Sequence, residues 1–90
     1  MSITLPYRVE VTRKAEKDIE GLRPYSDRVV RELLALEQEP TRGHSLLREL
    51  KGARSLEFSL PGGAHRALYV VKERDRVCLV FYVGPPRRGV

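Results

Sequence analysis

Residues 55–83, SLEFSLPGGAHRALYVVKERDRVCLVFYV, decide the fold. Leu56, Phe58 and Leu60 alternate with Ser55, Glu57 and Ser59, the period of a strand with one face buried. Pro61-Gly62-Gly63 supplies a turn, and RALYVVK from Arg66 to Lys72 reads as the next strand. Glu73-Arg74-Asp75 turns the chain again, and RVCLVFYV from Arg76 to Val83 is apolar on both faces, as a central strand must be. After Val83 the tail GPPRRGV cannot extend the ladder past its prolines.

Working towards the amino terminus, residues 40–54 (PTRGHSLLRELKGAR) carry two glycines, mixed charge and weak periodicity, and form the longest irregular segment. Loops of that length in a small domain often carry function, and part of this one could be a short helical turn. Before it, Val29, Val30, Leu33, Leu34 and Leu36 cover a wide helical arc that should touch both a sheet and a second helix. That helix should begin at Ser26 or Asp27, either able to accept from the first free N–H groups, and end at Glu39-Pro40. An earlier helix is capped by Thr12 and carries Ala15, Ile19 and Leu22 on its apolar side, with Lys14 and Asp18 one turn apart on the wet side. It should stop near Arg23, because the residue before Pro24 is pushed out of helical geometry. Tyr7, Val9 and Val11 alternate with polar neighbours and define a first strand at about residues 6–12. The order is β-α-α-β-β-β, an α+β fold with two helices packed on one face of a small, mostly antiparallel sheet.

The full chain of 90 residues is 41% hydrophobic and 32% charged, which describes one domain that buries roughly two-thirds of its unfolded surface. A dinucleotide fold, a (β/α)₈ barrel or a nucleotide-driven motor does not fit in that length. No run approaches the roughly 20 apolar residues of a membrane span, and residues 1–8 lack the order of a secretory signal, so the expected location is the cytoplasm. One cysteine and two histidines cannot form a structural zinc site of four Cys/His ligands, and no cofactor motif is present. Cys78 lies in an apolar run where a thiol behaves as a small hydrophobe. Charge is the informative property. Residues 1–45 balance eight Lys/Arg with eight Asp/Glu, whereas residues 46–90 set nine against four. The whole net charge of +5 therefore lies in the second half, which favours a polyanionic partner docking on one side.

In that order and spacing, YRVEVTRKAEKDIEGL, EQEP, ELKG, HRALYVV and the ending VGPPRRGV resemble the RelE/ParE superfamily of bacterial toxins, in register from about Tyr7 to Gly89. The resemblance implies a toxin held in a hetero-oligomer by a cognate, acidic antitoxin encoded nearby. For the RelE-like branch it implies an endoribonuclease that enters the ribosomal A site and cuts mRNA, activating the 2′-hydroxyl against the adjacent phosphate. Such cleavage needs a proton acceptor, cations on the non-bridging oxygens and a proton donor to the leaving oxygen, and no metal.

The resemblance also points to residues. Arg66 matches the arginine of the H/Y-R-x-x-Y strand motif and would bind two phosphate oxygens at once. Tyr69, on the opposite strand face, belongs to the core. Arg87 and Arg88 resemble the basic pair after the last strand, and Lys51 the basic residue of the K-L-[KR]-G segment. Arg48, Arg54 and His65 join Lys51 as expected RNA contacts. His44 falls close to where YoeB-like members carry an acid/base glutamate, and an imidazole, with an ordinary pKa of about 6.5, suits that role; the other reading is an exposed loop histidine. The sequence departs from the RelE-like pattern at Glu49 and Ser59, where many members are basic, and no tyrosine follows Arg87 and Arg88. Those departures favour the alternative of a ParE-like, gyrase-binding toxin without nuclease activity, or a degenerate RNA-binding relative.

Overall fold

Thr12 separates strand from helix. Its hydroxyl accepts from the Ala15 N–H at 3.1 Å, so the extended chain of β1 (Arg8–Val11) turns directly into α1 (Arg13–Glu20). The computed structural model describes residues 5–46 and 52–86. After α1 come α2 (Ser26–Leu34), a 3₁₀ turn at Ala35–Glu37 and β2 (His44–Leu46). Three longer strands follow: β3 (Ala53–Leu60), β4 (Gly63–Lys72) and β5 (Val77–Gly84). The sheet order is β1-β5-β4-β3-β2, with β1 parallel to β5 and every other pair antiparallel.

The two helices and the mostly antiparallel sheet agree with the expected fold class, with one strand added. Residues 44–46 read as loop but pair with β3 in the register His44↔Ser55, Ser45↔Arg54, Leu46↔Ala53. Other local details differ: α2 stops at Leu34 and tightens into the 3₁₀ turn, short of the expected end at Glu39-Pro40. α1 ends at Glu20, before the Gly21–Pro24 turn, and not near Arg23. Neither Ser26 nor Asp27 caps α2. The cap is Tyr25, without a side-chain bond, and the Ser26 hydroxyl instead donates to the Ile19 carbonyl at 2.7 Å, tying the two helices together.

One face of the sheet packs on the helices. Ala15, Val29, Leu33 and Leu36 meet Leu56, Phe58, Ala67, Tyr69, Cys78 and Val80 in the main core. Removing that much apolar surface from water, at roughly 25 cal/mol per Å², is the main force holding helices to sheet. Val30 and Leu34 stay 40% and 44% exposed and line a shallow apolar groove with Val9, Val11 and Ile19, so the wide arc of α2 is only partly covered. Among the described residues no helix lies on the opposite face, where Leu46, Ala53, Leu68 and Tyr82 form a second, smaller apolar cluster.

β5 serves both faces because it carries a bulge. Leu68 pairs with Tyr82 and Tyr69 with Val80, leaving Phe81 as the extra residue. Cys78, Val80 and Val83 therefore turn to the helices while Tyr82 turns to the open face. β1 reaches only as far as Val80 along β5, and the Val83 N–H beyond it is taken by the Asp18 carboxylate at 3.0 Å. Asp18, which also receives Lys14 at 2.9 Å, is thus turned towards the sheet and not simply solvated.

Candidate functional site

Antiparallel pairing across the Pro61-Gly62 turn determines what shares the open face. Leu60 lies opposite Gly63, and counting back along both strands puts Glu57 opposite Arg66 and Ser55 opposite Leu68. Gly62 and Gly63 make the turn with φ of 107° and 138°, a region open to glycine and costly for side chains with a Cβ. Leu68 belongs to the open-face cluster, and side chains two apart share a face. Arg66 and Glu57 are therefore neighbours on the uncovered side, about 5 Å apart at Cβ. On its other flank Arg66 pairs with Gly84. A Cβ at Gly84 would fall 2.8 Å from the Tyr82 hydroxyl, so that ring folds across the glycine beside Arg66. The Tyr82 hydroxyl donates to the Pro85 carbonyl at 2.6 Å, and the Lys14 ammonium sits 4.6 Å from the ring centre.

His44 joins the same face from β2. Its register partner Ser55 has the parity of Glu57, and His44 Nδ1 lies 3.3 Å from Glu57 Oε2, each side chain 57% exposed. The structure thus brings Arg66, Glu57 and His44 into one oblique row across β4, β3 and β2, Glu57 level with Arg66 and diagonal to His44: a guanidinium, a carboxylate and an imidazole. Nothing in the second half's charge balance singled out Glu57. The signal was available in the turn, whose length dictates that the exposed acid of β3 faces Arg66.

Two other expected contacts are placed elsewhere. Arg54 and His65 share the parity of Leu56 and Ala67 and face the helix side, away from Arg66. Arg54 Nε donates to the Gly43 carbonyl at 2.9 Å and its Nη2 to the Thr41 carbonyl at 3.0 Å. His65 stacks on Phe58 at 6.2 Å between ring centres, with Nδ1 3.0 Å from the Gly63 carbonyl. Strand parity thus gives both side chains packing and backbone-pinning partners on the face opposite Arg66. Arg48, Lys51, Arg87 and Arg88, with the departure at Glu49, lie outside the described residues.

Beneath the row, Tyr69 and Arg54 hold the segment that delivers His44. Tyr69 is fully buried; its hydroxyl donates to the Pro40 carbonyl at 2.7 Å and accepts the Gly43 N–H at 3.0 Å. Burial pushes the Tyr69 phenol above its ordinary 10.0, with the Gly43 N–H and the Arg54 cation pulling the other way. Gly43 passes so close to β3 that a Cβ would lie 2.6 Å from the Ser55 carbonyl oxygen, leaving no room for any larger residue.

Comparison with known proteins defines the class. The family described as the ParE toxin of type II toxin–antitoxin systems, parDE, matches residues 9–89. The chain therefore belongs to this toxin family, within the RelE/ParE superfamily that its motifs resemble. Among solved structures, a chain of the RelBE2 toxin–antitoxin complex of Mycobacterium tuberculosis is 30% identical with a TM-score of 0.79, over 91% of this chain and all of that one. The intact RelBE complex of E. coli matches at 20% identity and TM-score 0.70, over 91% and 99% of the two chains. The archaeal RelE–RelB complex of Pyrococcus horikoshii matches at 20% and 0.61, over 93% and 99%. Those two likenesses speak for the fold alone. A comparison with curated proteins gives no match. Among the described residues no helix is long and apolar enough to cross a membrane.

Proposed function

We propose that this toxin is a ribosome-dependent endoribonuclease that arrests translation by cutting mRNA in the A site, and that a cognate acidic antitoxin neutralises it. The observation that carries the reading is that Arg66 and His44 share the sheet face opposite the helices. Arg66 binds the non-bridging oxygens of the scissile phosphate, where a guanidinium offsets charge as the transition state forms. His44 takes the proton of the 2′-hydroxyl as that oxygen bonds to phosphorus. The bond to the 5′-oxygen breaks as solvent water on the opposite side gives that oxygen a proton, leaving a 2′,3′-cyclic phosphate and a 5′-hydroxyl. No step requires a metal or cofactor. The excess positive charge of residues 46–90 suits both the RNA and an acidic antitoxin segment that supplies carboxylates to Arg66 and its basic neighbours.

The test is single-turnover cleavage on programmed ribosomes. Arg66→Ala is expected to abolish cleavage with thermal stability nearly unchanged, since a half-buried strand-surface cation contributes little to the core. His44→Gln is expected to slow cleavage by about 10². Full activity in Arg66→Ala removes the assignment. The match to the ParE family, together with Ser59 at an exposed strand position where many RelE-like members are basic, favours the second reading, a gyrase-binding toxin. Induction in cells that stops DNA replication before translation, with no cleavage on ribosomes, would establish that reading instead.

A further inference from the structure

We infer that Glu57 is the positioning residue for His44: its carboxylate takes the Nδ1 hydrogen of the imidazole and so presents an unprotonated Nε2 to the substrate. The inference rests on the RNA-cleavage reading above and deepens it, because it says how the imidazole is made competent and why an acid stands beside the phosphate-binding arginine.

Three observations converge. Glu57 occupies the middle of the row, opposite Arg66 in register, with His44 Nδ1 at 3.3 Å from its Oε2. The one strand paired with β2 is β3, whose charged residue on this face is Glu57, while Arg66 and Lys72 of β4 stand one strand further off, so among the described residues of those strands a carboxylate is what reaches Nδ1. A carboxylate on one ring nitrogen fixes which nitrogen carries the hydrogen and which is left to accept.

The reaction's geometry selects this role over others. Attack by the 2′-oxygen and departure of the 5′-oxygen occur on opposite sides of phosphorus, so a base and an acid must stand on opposite sides too. Two groups 3.3 Å apart serve the same side. Glu57 and His44 are therefore one proton-accepting unit and not an acid–base couple. In the free protein the pair is more than half exposed and weak, as solvated pairs are. RNA laid across the face excludes water and strengthens the contact when it is needed.

A carboxylate that did no more than temper Arg66 would act oppositely on removal, because losing a negative charge beside a phosphate site raises both affinity and rate. Glu57→Leu keeps a strand-compatible side chain of similar bulk and separates the two cases. In single-turnover cleavage on programmed ribosomes, the full-length variant is expected to cut about tenfold more slowly or worse, while half-saturation by ribosomes stays equal or falls. The double variant Glu57→Leu/His44→Gln should be no slower than His44→Gln alone. Independently of cleavage, ¹⁵N NMR of histidine-labelled protein at about pH 8 should show His44 as the Nδ1–H tautomer in the parent and as the Nε2–H tautomer, favoured by free imidazole, in Glu57→Leu. His44→Gln assigns the signal against His65. An unchanged tautomer, or a variant that cuts as fast as the parent or faster, overturns the inference while the cleavage reading stands. A parent that does not cut RNA on ribosomes overturns the cleavage reading itself and the catalytic role with it.

Discussion

Replacing Tyr69 with Phe removes one oxygen atom from the interior and tests how the His44 segment is held. The ring stays, so the packing against Val80 and the helices is preserved, and the perturbation is confined to two hydrogen bonds. The Gly43 N–H loses its acceptor in a buried bond and the Pro40 carbonyl loses its donor. A buried donor left without a partner costs about 1–3 kcal/mol, and the partly solvated Pro40 carbonyl adds about 0.5 kcal/mol. The expected loss is about 2–3 kcal/mol, a large share of the roughly 5–13 kcal/mol available to a chain of this size. At about 4–8 °C per kcal/mol the melting temperature should fall by roughly 10–20 °C. Urea unfolding followed by circular dichroism measures this as a lower midpoint with an unchanged slope. Hydrogen exchange should place the loss of protection first at Gly43 and the amides of β2. Tyr82→Phe, which removes the partly buried bond to Pro85, is the internal comparison and should cost about 1 kcal/mol or less. A Tyr69→Phe loss below about 0.5 kcal/mol, with Gly43 exchange unaltered, would refute the reasoning and assign the segment to Arg54 alone.

Leu33→Ala, at a core position 2% exposed, should cost about 2–5 kcal/mol by leaving a cavity under the sheet; chemical unfolding checks it, and activity should fall only with the folded fraction. Gly43→Ala places a Cβ against the Ser55 backbone and should cost about 1–3 kcal/mol, read as a lower urea midpoint together with cleavage activity reduced beyond the unfolded share, since β2 is displaced with His44. Stability should decline at alkaline pH. Burial raises both the Tyr69 phenol above 10.0 and the Cys78 thiol above 9.0. Each acid holds its proton more tightly when folded, so its contribution is whole below those ordinary values and is lost as pH rises through the higher folded ones. Urea midpoints between pH 8 and 11 should show the decline, and Tyr69→Phe should flatten its upper part.

The legible parts of the fold were those written in local periodicity. Leu56, Phe58 and Leu60, the Pro-Gly-Gly turn and the apolar run after Arg76 gave three strands in their places, and Thr12 capped the first helix as its position between strand and helix demanded. β2 was not legible, because three residues carry no period. His44–Leu46 is a strand only because β3 offers an unpaired edge and because Tyr69 and Arg54, 26 and 11 residues away from Gly43, hold the preceding backbone. The α2 cap was misplaced for a similar reason: Ser26 has a better partner in the Ile19 carbonyl of the neighbouring helix than in its own first turn.

In the site, the strand that carries Arg66 was legible, and the face to which Arg54 and His65 turn was not. Residue type marked both as contacts for an anion, whereas their parity with Leu56 and Ala67 sends them to the opposite side of the sheet from Arg66. Sequence alone determined the order of the principal elements, the buried alternation of the hairpin and the concentration of positive charge after residue 45. These are consequences of neighbours a few bonds apart and of composition. Tertiary structure alone decided that β2 exists, that the Phe81 bulge lets β5 serve both faces, and that His44, Glu57 and Arg66 stand in one row. Each of those depends on pairing between residues distant in the chain, where a shift of one position would exchange the two faces of the sheet.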